Sequence, residues 1–202
     1  MSIVVVMPHL DDETFSCGGM LLEHKRNSFI NKIRIDNELC YSKDFSLDSD
    51  VLIVTFCKGR VNENSERFKT FKEFCIAVNA NHIVLNFNDL ELYKNPHNVY
   101  IDILTNIFSQ IKSDFEIYIP SENDLHQEHR LVSQCVKIAC RRYLDKISRI
   151  LEFKQPFENF DHSEYQNSFK CSPYKESCCK QYKEQQPLYY DKEFYRVLHF
   201  KL

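Results

Sequence analysis

Four β-branched residues in succession, Ile3-Val4-Val5-Val6, constrain this chain more than any other stretch. A run that is apolar at every position suits a strand buried on both faces, as in a parallel sheet. Pro8 ends the run, and His9, Asp11, Asp12 and Glu13 follow directly. One imidazole and three carboxylates against the end of a buried strand cost roughly several kcal/mol in desolvation, and a cation offsets that cost. His9 and Asp12, three positions apart, suit a zinc ion and leave the neighbouring carboxylate free for proton transfer.

The same alternation of strand and helix continues along the chain. A helix is expected from Glu13 to about Arg26, with Phe15, Met20, Leu21 and Leu22 as packing residues and Gly18-Gly19 placed for close packing or access to a ligand. Val51 to Cys57 is a second strand, and Phe68, Phe71, Cys75 and Val78 recur at helical spacing after it. His82 to Phe87 is a third strand, followed by a helix facing inward through Leu104, Ile107, Phe108 and Ile111. Phe115 to Ile119 is a fourth strand stopped at Pro120, and a long helix is expected from about His126 to about Lys146. Ile150 to Phe153 reads as one more strand. Strands joined through helices imply right-handed crossovers, so the expected class is α/β, a Rossmann-like, doubly wound, mostly parallel sheet with helices on both faces. In the strand order 3-2-1-4 the first and fourth strands are neighbours, and the loops leaving them meet at the switch point.

A single domain spanning residues 1–202 is expected, with a motif-bearing core at 3–147, a surface insertion at 27–50 and C-terminal closing elements at 148–202. A net charge of -3 gives no basic field for nucleic acid. No run is long enough to span a bilayer, and the N-terminus lacks a basic leader region, so a cytoplasmic protein is expected. The nine cysteines are an odd number in a chain too large for a disulfide scaffold. Cys57, Cys75, Cys135 and Cys140 read as buried thiols, while Cys171, Cys178 and Cys179 with His162 match no known zinc spacing.

The loop after the fourth strand carries a second cluster, Asp124-Leu125-His126-Gln127-Glu128-His129-Arg130. His126 and His129 share one face of a helix start, where the dipole favours an anion. Brought to the first cluster, the set is His9, Asp12 and His129 around a metal, with Asp11, His126 and Glu128 close by. Three protein ligands with an open position fit a catalytic zinc, one per chain, and Fe²⁺ fits the same donors. Asp11 then serves as general base, and His126, protonated and held by Glu128, stabilises the oxyanion and protonates the leaving amine. Such a set suits metal-assisted hydrolysis of an amide.

Pro8-His9-Leu10-Asp11-Asp12-Glu13, Cys17-Gly18-Gly19 and the stretch from Asn123 to Arg130 resemble the two signatures of the PIG-L/LmbE-like zinc-dependent de-N-acetylases. The resemblance covers about residues 3 to 147. It implies removal of an acetyl group from an N-acetylglucosamine-type glycoconjugate, with zinc on His9, Asp12 and His129, Asp11 as base and His126 at the oxyanion. Leu10 stands where that family usually has proline, and Glu128 where aspartate is commoner. Three residues before the helical Glu73, where the family often has arginine, this chain has Thr70.

Asp89, after the third strand, is a candidate contact for a sugar hydroxyl, against a loop-capping role. Lys58 and Arg60, after the second, are candidate contacts for an anionic phosphate, against a solvated loop. The expected partner is a small-molecule or glycoconjugate substrate, with no nucleic acid and no transmembrane segment; oligomeric state is left open. Two other readings fit the same residues: an amidase acting on a thiol conjugate or lipid-linked amide, and a non-catalytic member that binds metal or sugar.

Overall fold

Alternate residues of the central strands face opposite sides of one sheet, and each side has its own core. The computed structural model describes residues 1–25, 50–58, 66–155, 167–170, 173–182 and 192–200. In chain order the elements are β1 (Ser2–Met7), α1 (Asp12–Lys25), β2 (Val51–Cys57), α2 (Glu66–Ala77), β3 (Asn81–Phe87) and a 3₁₀ turn at Leu92–Lys94. Then follow α3 (His97–Ser109), β4 (Phe115–Pro120), α4 (Gln127–Cys140), β5 (Ile147–Phe153), β6 (Asn167–Lys170), α5 (Pro173–Gln181) and β7 (Lys192–Phe200). Most of the expected insertion lies outside the described residues, as do Arg60, His162 and Cys171. No helix of the described residues is long and apolar enough to cross a membrane.

The seven-stranded sheet has the order β3-β2-β1-β4-β5-β7-β6. Its first five strands are parallel, and β7 joins β5 antiparallel, as β6 joins β7. Ile3, Val5 and Met7 of β1 pack with Leu21 of α1 and Phe68, Phe71 and Phe74 of α2. Val4 and Val6 pack on the other face with Leu104 and Phe108 of α3 and Val132 and Val136 of α4. This two-sided covering explains the unbroken β-branched run: each such side chain gains about 1.5–3 kcal/mol on full burial. The chain lays its first two helices on one face and the next two on the other, so growth reverses between β1 and β4. The loops after these two strands diverge there and leave a crevice at their carboxyl ends.

Helix α4 is shorter than its periodicity suggests. It ends at Cys140 rather than near Lys146, and the chain turns so that the Tyr143 N–H meets Cys140 O at 2.8 Å. Tyr143 still packs inward, with its ring 6.1 Å from that of Phe108 and its hydroxyl donating to Thr105 O at 2.9 Å. An apolar residue in helical phase therefore reaches the core from a turn.

The C-terminal elements grip α1. Lys175 of α5 and Glu193 of β7 are both fully buried and pair at 2.8 Å. Lys175 Nζ donates to Phe15 O at 2.7 Å, while the Gly19 and Met20 N–H groups donate to Glu193 at 2.6 and 3.0 Å. Tyr195 donates its hydroxyl to Glu193 at 2.6 Å. Gly18 lies against α2 and α5 rather than a ligand; a Cβ there would meet the Phe74 ring at 3.6 Å and Lys175 Cγ at 3.7 Å.

Replacing Lys175 by methionine leaves the Glu193 charge buried without its cation. Urea unfolding of Lys175→Met is expected to show a loss of about 3–5 kcal/mol. A change below about 1 kcal/mol, the scale of an exposed pair, would contradict a buried one.

Candidate active site

Two helix starts and the loops leading into them assemble the site at the β1–β4 switch point. Asp11 O accepts from the N–H groups of Thr14 and Phe15, both at 3.1 Å, which sets Asp12 and Glu13 in the first turn of α1. Carboxylates are favoured there by the helix dipole. The Asp12 carboxylate folds back to accept from the His9 N–H at 3.0 Å, and this fixes both side chains on one side of the loop. Leu10 is buried in the core that β1, α1 and α2 share.

The second loop is held by its own polar groups. Ser121 Oγ accepts from Asn123 N at 3.1 Å, and Asp124 Oδ1 accepts from His126 N at 2.7 Å. Arg130 donates to the carbonyls of Asp124 and Leu125. His126 then caps α4 with its imidazole, since Nδ1 accepts the Glu128 N–H at 3.2 Å. His129, one turn on, points to His9.

His9 Nδ1, Asp12 Oδ2 and His129 Nε2 form a nearly equilateral triangle. The separations are 3.2 Å from His9 to Asp12, 3.4 Å from His129 to Asp12 and 3.4 Å between the imidazoles. Donors about 2.0–2.1 Å from one tetrahedral ion stand about 3.3 Å apart, so these three fit zinc without rearrangement. All three residues are buried. Each imidazole also has a carboxylate behind it: Glu128 Oε2 at 2.8 Å from His9 Nε2, and Asp124 Oδ2 at 2.5 Å from His129 Nδ1. Such partners select the tautomer that presents a lone pair to the ion.

The charges are strongly interdependent. Burial works against charge on His9, but Asp12 and Glu128 outweigh it and raise its pKa to about 10. Burial likewise opposes the Asp12 anion, yet His129 and His9 hold its carboxyl below the ordinary range. Asp11 moves the other way, because burial and the Asp12 charge raise it against the pull of Arg67 and His9. Glu13 is pushed up to about 8 by burial and by Asp11. His126 is lowered by burial and by the other two imidazoles, which favours the neutral ring.

Of the residues singled out in the sequence, His9, Asp11, Asp12, His126, Glu128 and His129 come together. The pairing of Glu128 is a correction: its carboxylate meets His9 and the Leu92 N–H at 3.0 Å, and only its backbone touches His126. With Nδ1 engaged as an acceptor, His126 is neutral at the cap rather than held protonated. Asp89 borders the site, half-buried, with Oδ2 3.9 Å from Arg67. Lys58 directly follows β2 and is half-buried. Cys178 and Cys179 pack inside, Cys179 beside Phe15 and Tyr182.

Two residues escaped the sequence reading. Arg67 of α2 donates to Asp11 Oδ2 at 2.5 Å and is the cation paired with that carboxylate. Asp124 lies inside the second motif, but as a turn residue it carries no signal of its own beyond its spacing from His129.

The chain is matched over residues 4–140 by the model of the PIG-L family, GlcNAc-PI de-N-acetylase. No curated protein matches it in sequence. Its fold is similar to that of the 4-carboxy-2-hydroxymuconate hydratase GalB of Pseudomonas putida KT2440, with TM-score 0.67 and 11% identity over 100% of this chain and 98% of that one. It is also similar to the A40926 pseudoaglycone deacetylase Dbv21, with TM-score 0.63 and 11% identity over 100% and 98% of the two chains. The N,N'-diacetylchitobiose deacetylase of Pyrococcus horikoshii gives TM-score 0.61 and 14% identity over 94% of this chain and 71% of that one.

Removing the carboxylate behind His129 tests the built site. Asp124→Asn is expected to weaken zinc binding about 10–100-fold in competition with a chromophoric chelator. Unchanged affinity would remove Asp124 from the site.

Proposed function

Since the chain belongs to the GlcNAc-PI de-N-acetylase family, we propose that it is a zinc-dependent hydrolase that removes an acetyl group from an N-acetylated amino sugar. The observation that carries this reading is the triangle of His9, Asp12 and His129 with a carboxylate beside it that is not a ligand. Asp11 has that place, 5% exposed and fixed by Arg67.

His9, Asp12 and His129 would hold the zinc, which when bound would supply a Lewis acid for the amide carbonyl and acidify the attacking water to a pKa of about 7. Asp11 takes the proton of the attacking water. Its raised proton affinity suits a base better than an ordinary surface carboxylate would. Arg67 orients the Asp11 carboxylate. Neutral His126 carries its proton on Nε2, because Nδ1 is spent on the α4 cap, and it donates that N–H to the developing oxyanion. As the C–N bond breaks, the proton held by Asp11 passes to the leaving nitrogen, and acetate and a free amine result. Asp89 is the proposed contact for a sugar hydroxyl, and Lys58 and Arg60, beyond β2, for an anionic phosphate on the substrate. Glu128 acts through His9 as a positioning residue.

Purified protein is expected to carry about one zinc per chain and to release acetate from one or more of a panel of N-acetylhexosamine glycoconjugates. Asp11→Asn is expected to lower the rate by about 10²–10⁴-fold while the metal stays bound. His126→Ala is expected to cost about 10²–10³-fold in kcat. Full activity in Asp11→Asn would exclude it as the base, and zinc-loaded protein inert across the panel would exclude the amino-sugar reading.

A further inference from the structure

We infer that Cys57, Asp89 and His9 form a second metal site, overlapping the first, through which thiophilic ions inhibit the protein. Cys57 is the last residue of β2, where the pairing with β3 shifts register. Its N–H donates to Pro8 O at 2.8 Å and ties that strand end to the loop carrying His9. One donor atom from each of His9, Cys57 and Asp89 lies within 4.8 Å of the other two.

Asp89 and Cys57 are only lightly engaged, whereas His9 is shared with Asp12 and Glu128. Among the described residues Asp89 Oδ1 is buried with no hydrogen-bond partner, and Oδ2 has only the distant Arg67 guanidinium at 3.9 Å. The Cys57 thiol makes one weak bond, to Asn88 O at 3.5 Å. The Asp89 side chain is 19% exposed, so solvent reaches this donor. Imidazole, thiolate and carboxylate are all zinc donors, and a thiolate also selects soft ions. The first set has only nitrogen and oxygen donors.

Both sets require His9. A neutral imidazole has one lone pair to give, so an ion in the second set takes a ligand from the first. Cd²⁺ or a second Zn²⁺ would therefore inhibit by withdrawing His9. That consequence rests on the functional reading above, whereas binding at Cys57 does not.

The test is a Cd²⁺ titration of the full chain loaded with one equivalent of Zn²⁺, in the wild type, Cys57→Ser and Cys57→Ala. Thiolate-to-metal absorption in the ultraviolet is followed beside acetate release. The wild type is expected to gain a band saturating near about one Cd²⁺ per chain and to lose activity in step. Both variants are expected to lack that component, to keep basal acetate release and to tolerate roughly tenfold more Cd²⁺. A band and an inhibition curve unchanged in both variants would overturn the site. If no form releases acetate, the functional reading fails, while the absorption difference still decides whether Cys57 binds the ion.

Discussion

Everything in this molecule answers to the contact between His9 and His129, two imidazoles drawn to 3.4 Å from loops 120 residues apart. Two such rings, with the Asp12 oxygen between them, are costly to bury unless a cation completes the set. The parallel sheet makes the contact inevitable, because β1 and β4 are hydrogen-bonded neighbours and their carboxyl ends emerge side by side. Apolar packing on both faces of the sheet then holds the loops in a dry setting, where charge–charge interactions are strong.

Around that contact the carboxylates divide the work. Glu128 and Asp124 stand behind the imidazoles, Asp12 stands between them, and Asp11 is set apart and held by an arginine. In the proposed reaction the same chemical group serves as tautomer lock, ligand and base. What separates the roles is which neighbour each oxygen meets and how much water it has lost. His126 adds a further economy, since the nitrogen that caps α4 also fixes which nitrogen bears the proton.

Much of this was legible in the sequence. The β-branched runs, the helical periodicities and the two ionisable clusters are local patterns, and right-handed crossover rules place the clusters together. Features that depend on remote pairing were not. Glu128 reads as a neighbour of His126, yet its carboxylate belongs to His9, 119 residues away in sequence. Arg67 looks no different from Lys69 or Lys72 on a charged helix. Lys175 and Glu193 come from a tail rich in lysine and glutamate, and their mutual burial depends on α1 offering backbone groups to both. The end of α4 was missed because Tyr143 keeps helical phase after the helix has stopped.

The most direct test of the central contact is X-ray absorption at the zinc edge on protein loaded with one equivalent of the metal. A first shell of nitrogen and oxygen at about 2.0–2.1 Å, with the multiple-scattering pattern of two imidazoles, is the expected result. A shell with sulfur at about 2.3 Å, or the signature of a single imidazole, would show that His9 and His129 do not share the ion.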